Sequence, residues 1–271
     1  MSNFRIFRTP QSTKAERQRA GCLLLFVFLA VLIFSPDFRF WVRSLVEYPF
    51  HYKEYKHFGI RIPGGYKVHG IDVSKWQSRV DWARVKAMKV GKVRISFAFI
   101  KATEGSWMED PQFDRNWINA KKNGIIRGAY HYFLPNISAK DQALKFTKTV
   151  KLRSGDLPPV VDVEEENGMT AAQIRMYTKE FLNLLQKHYK VKPILYTNKD
   201  FYKRFFAKNE AFKDYLFWIA HYHVADLEMP DDGNWHFWQH SDRGNVNGIN
   251  EPVDFNVFNG DSIKLSKLCI P

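Results

Sequence analysis

Cysteine is nearly missing from this sequence: Cys22 and Cys269 are the only two in 271 residues. That excludes a disulfide framework and a cysteine-rich metal site. No internal repeat and no low-complexity segment occurs, so collagen, a coiled coil and a repeat array are excluded. Long apolar runs are also scarce, since a single one stands near the N-terminus, and a multi-pass membrane protein is excluded with them. No block of basic residues resembles a nucleic-acid-binding stripe, although the formal net charge is +13. What remains is ordinary globular material, 45% hydrophobic and 25% charged, with 16% aromatic residues. Seven of the 41 Lys and Arg and three of the 28 Asp and Glu fall in the first fifty residues. The rest keeps 34 bases against 25 acids, scattered through helix-like stretches. For an exported domain, a polyanionic envelope is a more natural partner than nucleic acid.

The first fifty residues differ in kind from the rest. Residues 1–19 carry Arg5, Arg8, Lys14, Arg17 and Arg19 against Glu16. An uncharged run, Ala20 to Phe34, follows and as a helix would span roughly 22 Å, against a hydrocarbon core of about 30 Å. That length fits either a signal-peptide core or a short anchor. No small-x-small cleavage site follows it, and Phe38-Arg39-Phe40-Trp41 has the mixed character of an interfacial belt. A retained anchor is therefore expected, with residues 1–19 cytoplasmic, a membrane segment and its flank over 20–43, and everything after it extracytoplasmic. A cleaved signal leaving a secreted or periplasmic enzyme is the alternative. The body of the apolar run follows Cys22 instead of preceding it, which argues against a lipoprotein. Residues 44–67 read as a linker with short local structure, and Pro63-Gly64-Gly65 ends it.

From residue 68 onward, β-rich runs alternate with amphipathic stretches. The runs are Val68–Val73, Val93–Lys101, Ile125–Phe133, Pro159–Glu164, Pro193–Asn198, Leu216–Tyr222, Trp235–Ser241 and Val253–Phe258. Helical patterns fall near 79–91, 111–123, 138–152, 170–190 and 200–213. Eight strands and about five helices predict an α/β fold, a modified TIM-like (β/α) barrel over 68–271. No crossover helix fits between the last three strands, so at least one of those pairs is expected to be antiparallel.

Such barrels carry their sites at the C-terminal strand ends. There the sequence supplies Asp72, the pair Asp162 and Glu164, and Asp254. Residues two apart on a strand share a face, with α-carbons roughly 6.5 Å apart. Two carboxyls crowded together suit glycoside hydrolysis, one donating a proton to the leaving oxygen while the other stabilises or attacks the anomeric carbon. On its own a D-x-E is weak, because acids at strand ends also cap helices or pair with lysines. A metal held by Asp162, Glu164 and a histidine is the rival chemistry; neither metal nor cofactor is expected. Trp76, Tyr130, Tyr132, Phe133, Tyr196, Trp218, Tyr222 and Trp238 also fall near strand ends, where pyranose rings can stack on them.

Together these residues resemble the glycoside hydrolase family 25 lysozymes, the Chalaropsis-type N-acetylmuramidases. The segments that carry the resemblance are HGIDVSKWQ (69–77), FAFIKATEG (97–105), DPQFDRNWINAKKNGIIRGAYHYF (110–133), PPVVDVE (158–164), ILYTN (194–198), FWIAHY (217–222), FWQHS (237–241) and VDFNVF (253–258), in that order. The resemblance implies a peptidoglycan hydrolase cutting the β-1,4 bond between N-acetylmuramic acid and N-acetylglucosamine. It implies Glu164 as general acid and Asp162 as nucleophile or as the group orienting the substrate's N-acetyl. Asp72 and Asp254 match the other rim acids, and Tyr130, Tyr196, Trp218 and Gln239 match the sugar groove, to which Trp76 is added. A monomer acting on glycan strands is expected. A non-catalytic peptidoglycan-binding barrel is the alternative from another class.

Overall fold

The computed structural model describes residues 52–230 and 235–271. The basic leader and apolar segment expected over residues 1–43 lie outside them. Among the described residues no helix is long and apolar enough to cross a membrane.

Over residues 52–67, read above as part of a linker with short local structure, that structure is a hairpin that packs into the core. Strands β1 (Tyr52–Tyr55) and β2 (Ile60–Pro63) form an antiparallel hairpin. Its turn needs Gly59 at φ +65°, and a side chain there would also strike Asn245. Phe58 is fully buried at the tip, edge-on to Phe255 with ring centres 5.1 Å apart. Its carbonyl accepts from the Asn245 amide at 2.8 Å. Apolar Phe58, Ile60 and Ile62 are what turn the segment into part of the core.

Strands β3 (Val68–Val73), β5 (Val93–Glu104), β7 (Ile126–Tyr132), β8 (Val160–Asp162), β9 (Ile194–Asn198), β10 (Leu216–Ala220), β11 (Trp235–Gly244) and β12 (Val253–Phe258) form the barrel. Their order is β3-β12-β11-β10-β9-β8-β7-β5, and a β3–β5 pairing closes it. Every neighbouring pair is parallel except those of β12, which runs antiparallel to both β11 and β3. Two-residue strands β4 (Lys89–Val90) and β6 (Met108–Glu109) pair with the two ends of β5. The eight strands are those expected from the sequence, and the antiparallel closure follows from connections too short for a crossover helix.

Period-two alternation divides the side chains into two layers. Val68, Phe97, Phe99, Val160, Ile194, Trp218, Phe237 and Phe258 fill the barrel. Glycine makes room for the rings: a Cβ on Gly70 would lie 2.5 Å from the Phe97 ring, and one on Gly128 would lie 2.6 Å from Phe99. Ile71, Ile100, Ala129, Val161, Leu195 and Ile219 point outward under the helices. Burial of side chains this size contributes about 1.5–3 kcal/mol each.

Six helices occur among the described residues: α1 (Trp82–Ala87), α2 (Phe113–Lys122), α3 (Ala139–Thr149), α4 (Ala171–Tyr189), α5 (Lys199–Phe201) and α6 (Ser262–Leu268). Their starts are capped by side chains at Asp81, Ser138, Thr170, Asn198 and Asp261, which accept main-chain N–H groups. The long helix expected over 200–213 is instead α5 running into a wider turn, Tyr202–Phe206, whose Ala207 amide bonds back to Tyr202 O. Phe201, Tyr202, Phe205 and Phe206 all bury here. Helix α6, absent from the sequence expectation, sends Leu265 into the cluster that fills the barrel.

Candidate active site

Because β12 is reversed, its first residues stand at the rim where the parallel strands end. Asp254 therefore lies opposite Asp72 in the β3–β12 register. The nine residues singled out above all line one cleft of about 240 Å³ at this rim: Asp72, Trp76, Tyr130, Asp162, Glu164, Tyr196, Trp218, Gln239 and Asp254. Phe133 and Trp238 do not join them. Strand parity turns both to the helix layer, where each is buried, and the Trp238 Nε1 donates to His221 O at 2.8 Å.

A hydrogen-bonded network underlies the cleft. Asp72 Oδ2 accepts from Gln239 Nε2 at 2.9 Å and from Asn256 Nδ2 at 2.7 Å. Gln239 Oε1 accepts from the hydroxyls of Tyr196 and Tyr222, each at 2.7 Å. Asn256 Oδ1 accepts from Trp218 Nε1 at 2.8 Å. With a face stacked on Phe99 at 4.2 Å and 2% exposure, Trp218 is the floor of the cleft, not an open platform for a sugar. Trp76 is the contrary case: it stands at the mouth, 72% exposed.

The acids are not equivalent. Burial pushes Asp254 up to about 9, helped by the charge of Asp72 and their mutual hydrogen bond. Burial also raises Asp72, but donors from Asn256 and Gln239 restrain it to about 6. Asp162 is held well above the carboxylate range by burial and then by the charge of Glu164. Glu164 is raised by burial, against a hydrogen bond from Tyr196. Asp162 Oδ1 is buried without a hydrogen-bond partner, a costly arrangement unless something else supplies the donor.

Lys101, which the sequence reading passed over, also lines the cleft. Its ammonium bonds Glu104 Oε2 at 2.7 Å and sits 4.8 Å from the centre of the Tyr132 ring. Its charge lowers both Asp162 and Glu164. Asn256, which holds Asp72, was missed too. A period-two reading of β5 and β12 from Phe99 and Asp254 puts both residues on the barrel face, and that signal could have found them. Glu165 accepts from the Tyr132 hydroxyl at 2.9 Å, so it braces the cleft wall.

A closed barrel with four carboxyl groups gathered where its parallel strands end is the architecture of a glycoside-cleaving hydrolase. The chain belongs to glycosyl hydrolases family 25, whose model matches residues 71–249. That span includes Asp72, Asp162, Glu164 and Gln239 and stops short of Asp254. Uncharacterized protein YegX of Escherichia coli K12 is 49% identical over 211 residues, 77% of this chain and 76% of that protein. Lysozyme M1 of Streptomyces globisporus is 35% identical over 213 residues, 74% of this chain and 71% of that protein. The crystal structure of the bacterial lysozyme from Streptomyces coelicolor superposes with a TM-score of 0.70 at 34% identity, covering 76% of this chain and 98% of that one.

Proposed function

We propose that the protein is a muramidase that hydrolyses the β-1,4 bond between N-acetylmuramic acid and N-acetylglucosamine in peptidoglycan, with Glu164 as general acid. The family membership and the lysozymes among its relatives support the activity. The observation that carries the residue assignment is the pair at the end of β8. Glu164 is biased by burial towards its protonated form, while Asp162 beside it presents a buried oxygen that no protein donor among the described residues satisfies. That oxygen is suited to accept the N–H of the 2-acetamido group. So oriented, the acetamido carbonyl oxygen bonds to the anomeric carbon as the bond to the leaving oxygen breaks, and Glu164 delivers its proton to that oxygen. Water then opens the cyclic intermediate and returns a proton to Glu164, so the anomeric configuration is retained.

Direct attack by Asp162 is the second route, and an inverting displacement the third. NMR of the first-formed product separates inversion from the other two, and strong inhibition by a thiazoline analogue of the sugar marks the acetamido route. Glu164→Gln should lower release of reducing ends from purified peptidoglycan at least about 10²-fold. Activity within about threefold of the parent would reject this acid, and a parent that binds peptidoglycan without releasing ends would establish the binding-module reading.

Action on the wall places the catalytic domain outside the cytoplasm. We read residues 20–34 as a retained anchor, supported by the basic leader and the missing cleavage site. A mature chain from the native host that starts after about residue 35 would overturn it.

A further inference from the structure

Outside the barrel, α1, α2 and the segment around Gly248–Asn250 line an open surface cavity of about 470 Å³ that the hydrolytic chemistry does not use. Its charged lining consists of Arg79, Arg84, Arg115 and Lys122 with one carboxylate among the described residues, Asp81. That carboxylate is already engaged as the cap of α1, accepting from the amides of Ala83 at 3.1 Å and Arg84 at 3.2 Å. None of the four bases enters an ion pair among the described residues. Exposed bases elsewhere do find acids, as Lys145 does with Glu109 at 2.8 Å and Arg204 with Glu166 at 2.7 Å.

The neutral groups of the lining reinforce the asymmetry. The Asn119 and Asn123 amide nitrogens are spent on the carbonyls of Arg115 and Asn119. The cations are left as the main donors, which selects for charge over the hydroxyls of a neutral sugar. One wall is also fixed in advance. The Asp81 amide donates to Gly248 O at 2.9 Å, and at φ +97° Gly248 packs so closely that a Cβ would lie 2.5 Å from Asp81 O. Four like charges around one concavity create a strongly positive potential that an anion relieves. Three guanidinium groups supply planar donor pairs that match tetrahedral oxyanions.

We propose that this cavity is a second, non-catalytic binding site for a soluble phosphate monoester or diester. A concavity takes up a discrete group, whereas a bilayer presents a flat surface, so a soluble phosphate ester fits better than a membrane. A carboxylate sugar, with one charge and two oxygens, leaves part of the donor set unused. The inference does not depend on the assignment of Glu164, and the Glu164→Gln protein should bind phosphate as the parent does.

Titration calorimetry of the full-length protein at low ionic strength tests it, with glucose 6-phosphate as probe beside glucose, glucuronate and vesicles of phosphatidylglycerol in phosphatidylcholine. The expected result is saturable binding of glucose 6-phosphate, none of glucose, and weaker binding of glucuronate. Arg79→Gln/Arg115→Gln should weaken glucose 6-phosphate at least about tenfold, since each substitution removes a charged donor. Lys122→Gln, a single change on the surface of α2, gives an independent second reading in the same direction. The proposal is overturned if glucose 6-phosphate produces no saturable heat, if glucuronate binds as tightly, if vesicles alone bind, or if the variants bind unchanged.

Discussion

Asp72 and Asp254 stand opposite each other across the antiparallel β3–β12 pair and share a hydrogen bond between their carboxyls. Two carboxylates so close cannot both ionise at neutral pH, so the pair holds one proton. Asp254, pushed to about 9, is the group that keeps it, and Asp72, near 6 and backed by Asn256 and Gln239, is the one that ionises.

That proton has a signature in stability. The folded chain keeps a proton on Asp254 that the unfolded chain releases near pH 4, so stability declines as pH rises from there towards 9. Asp254→Asn keeps a donor for Asp72 and removes the titration. Its melting temperature should exceed that of the parent by at least about 3 °C at pH 8, with the difference vanishing near pH 4. Equal differences at both pH values would show that the proton is not held there.

Lys101 is expected to tune the pH range of the proposed hydrolysis. Its charge lowers both Asp162 and Glu164, so Lys101→Met should move both limbs of the pH–rate profile to higher pH. Lys101→Arg should restore the limbs towards the parent. Reducing-end release between pH 4 and 9 measures this, and a profile that only falls in height would reduce Lys101 to a structural residue.

At the barrel's other end, Arg127 bonds Asp156 through two parallel contacts of 2.9 and 3.0 Å, and its guanidinium lies 3.7 Å from the centre of the Trp117 ring. Asp156 is 1% exposed and also receives the Arg153 amide at 2.8 Å. Arg127→Met leaves Asp156 only the half-exposed Lys121 ammonium at 3.2 Å as a charged partner, and should cost up to about 3–5 kcal/mol in urea unfolding. The double variant with Asp156→Asn should recover part of the loss.

Phe58 tests the hairpin ahead of the barrel. Phe58→Ala should destabilise the folded unit by about 3–5 kcal/mol in urea unfolding. A change under about 0.5 kcal/mol, the range of surface substitutions, would mean that residues 52–67 do not contribute to the core.

Much of this molecule is set by short-range pattern. Strand alternation by itself puts Asp162 and Glu164 on one face and Val163 on the other, and the sequence of strand ends is enough to indicate the barrel and its acidic rim. Those features depend on neighbours a few residues apart, so the chain states them locally. Only the tertiary structure decides what long-range register and burial control. The reversal of β12 brings Asp254 to Asp72, and Asn256 reaches Asp72 from 184 residues away. Phe99 covers the face of Trp218, which as a bare residue at a strand end reads equally well as a sugar platform. Phe58, Ile60 and Ile62 read as linker until Phe255 and Asn245, far along the chain, give them something to bury against. The basic cavity joins residues near 80, 120 and 250, and no local pattern marks it, because the potential of a concavity is a sum over charges that meet only once the chain has folded.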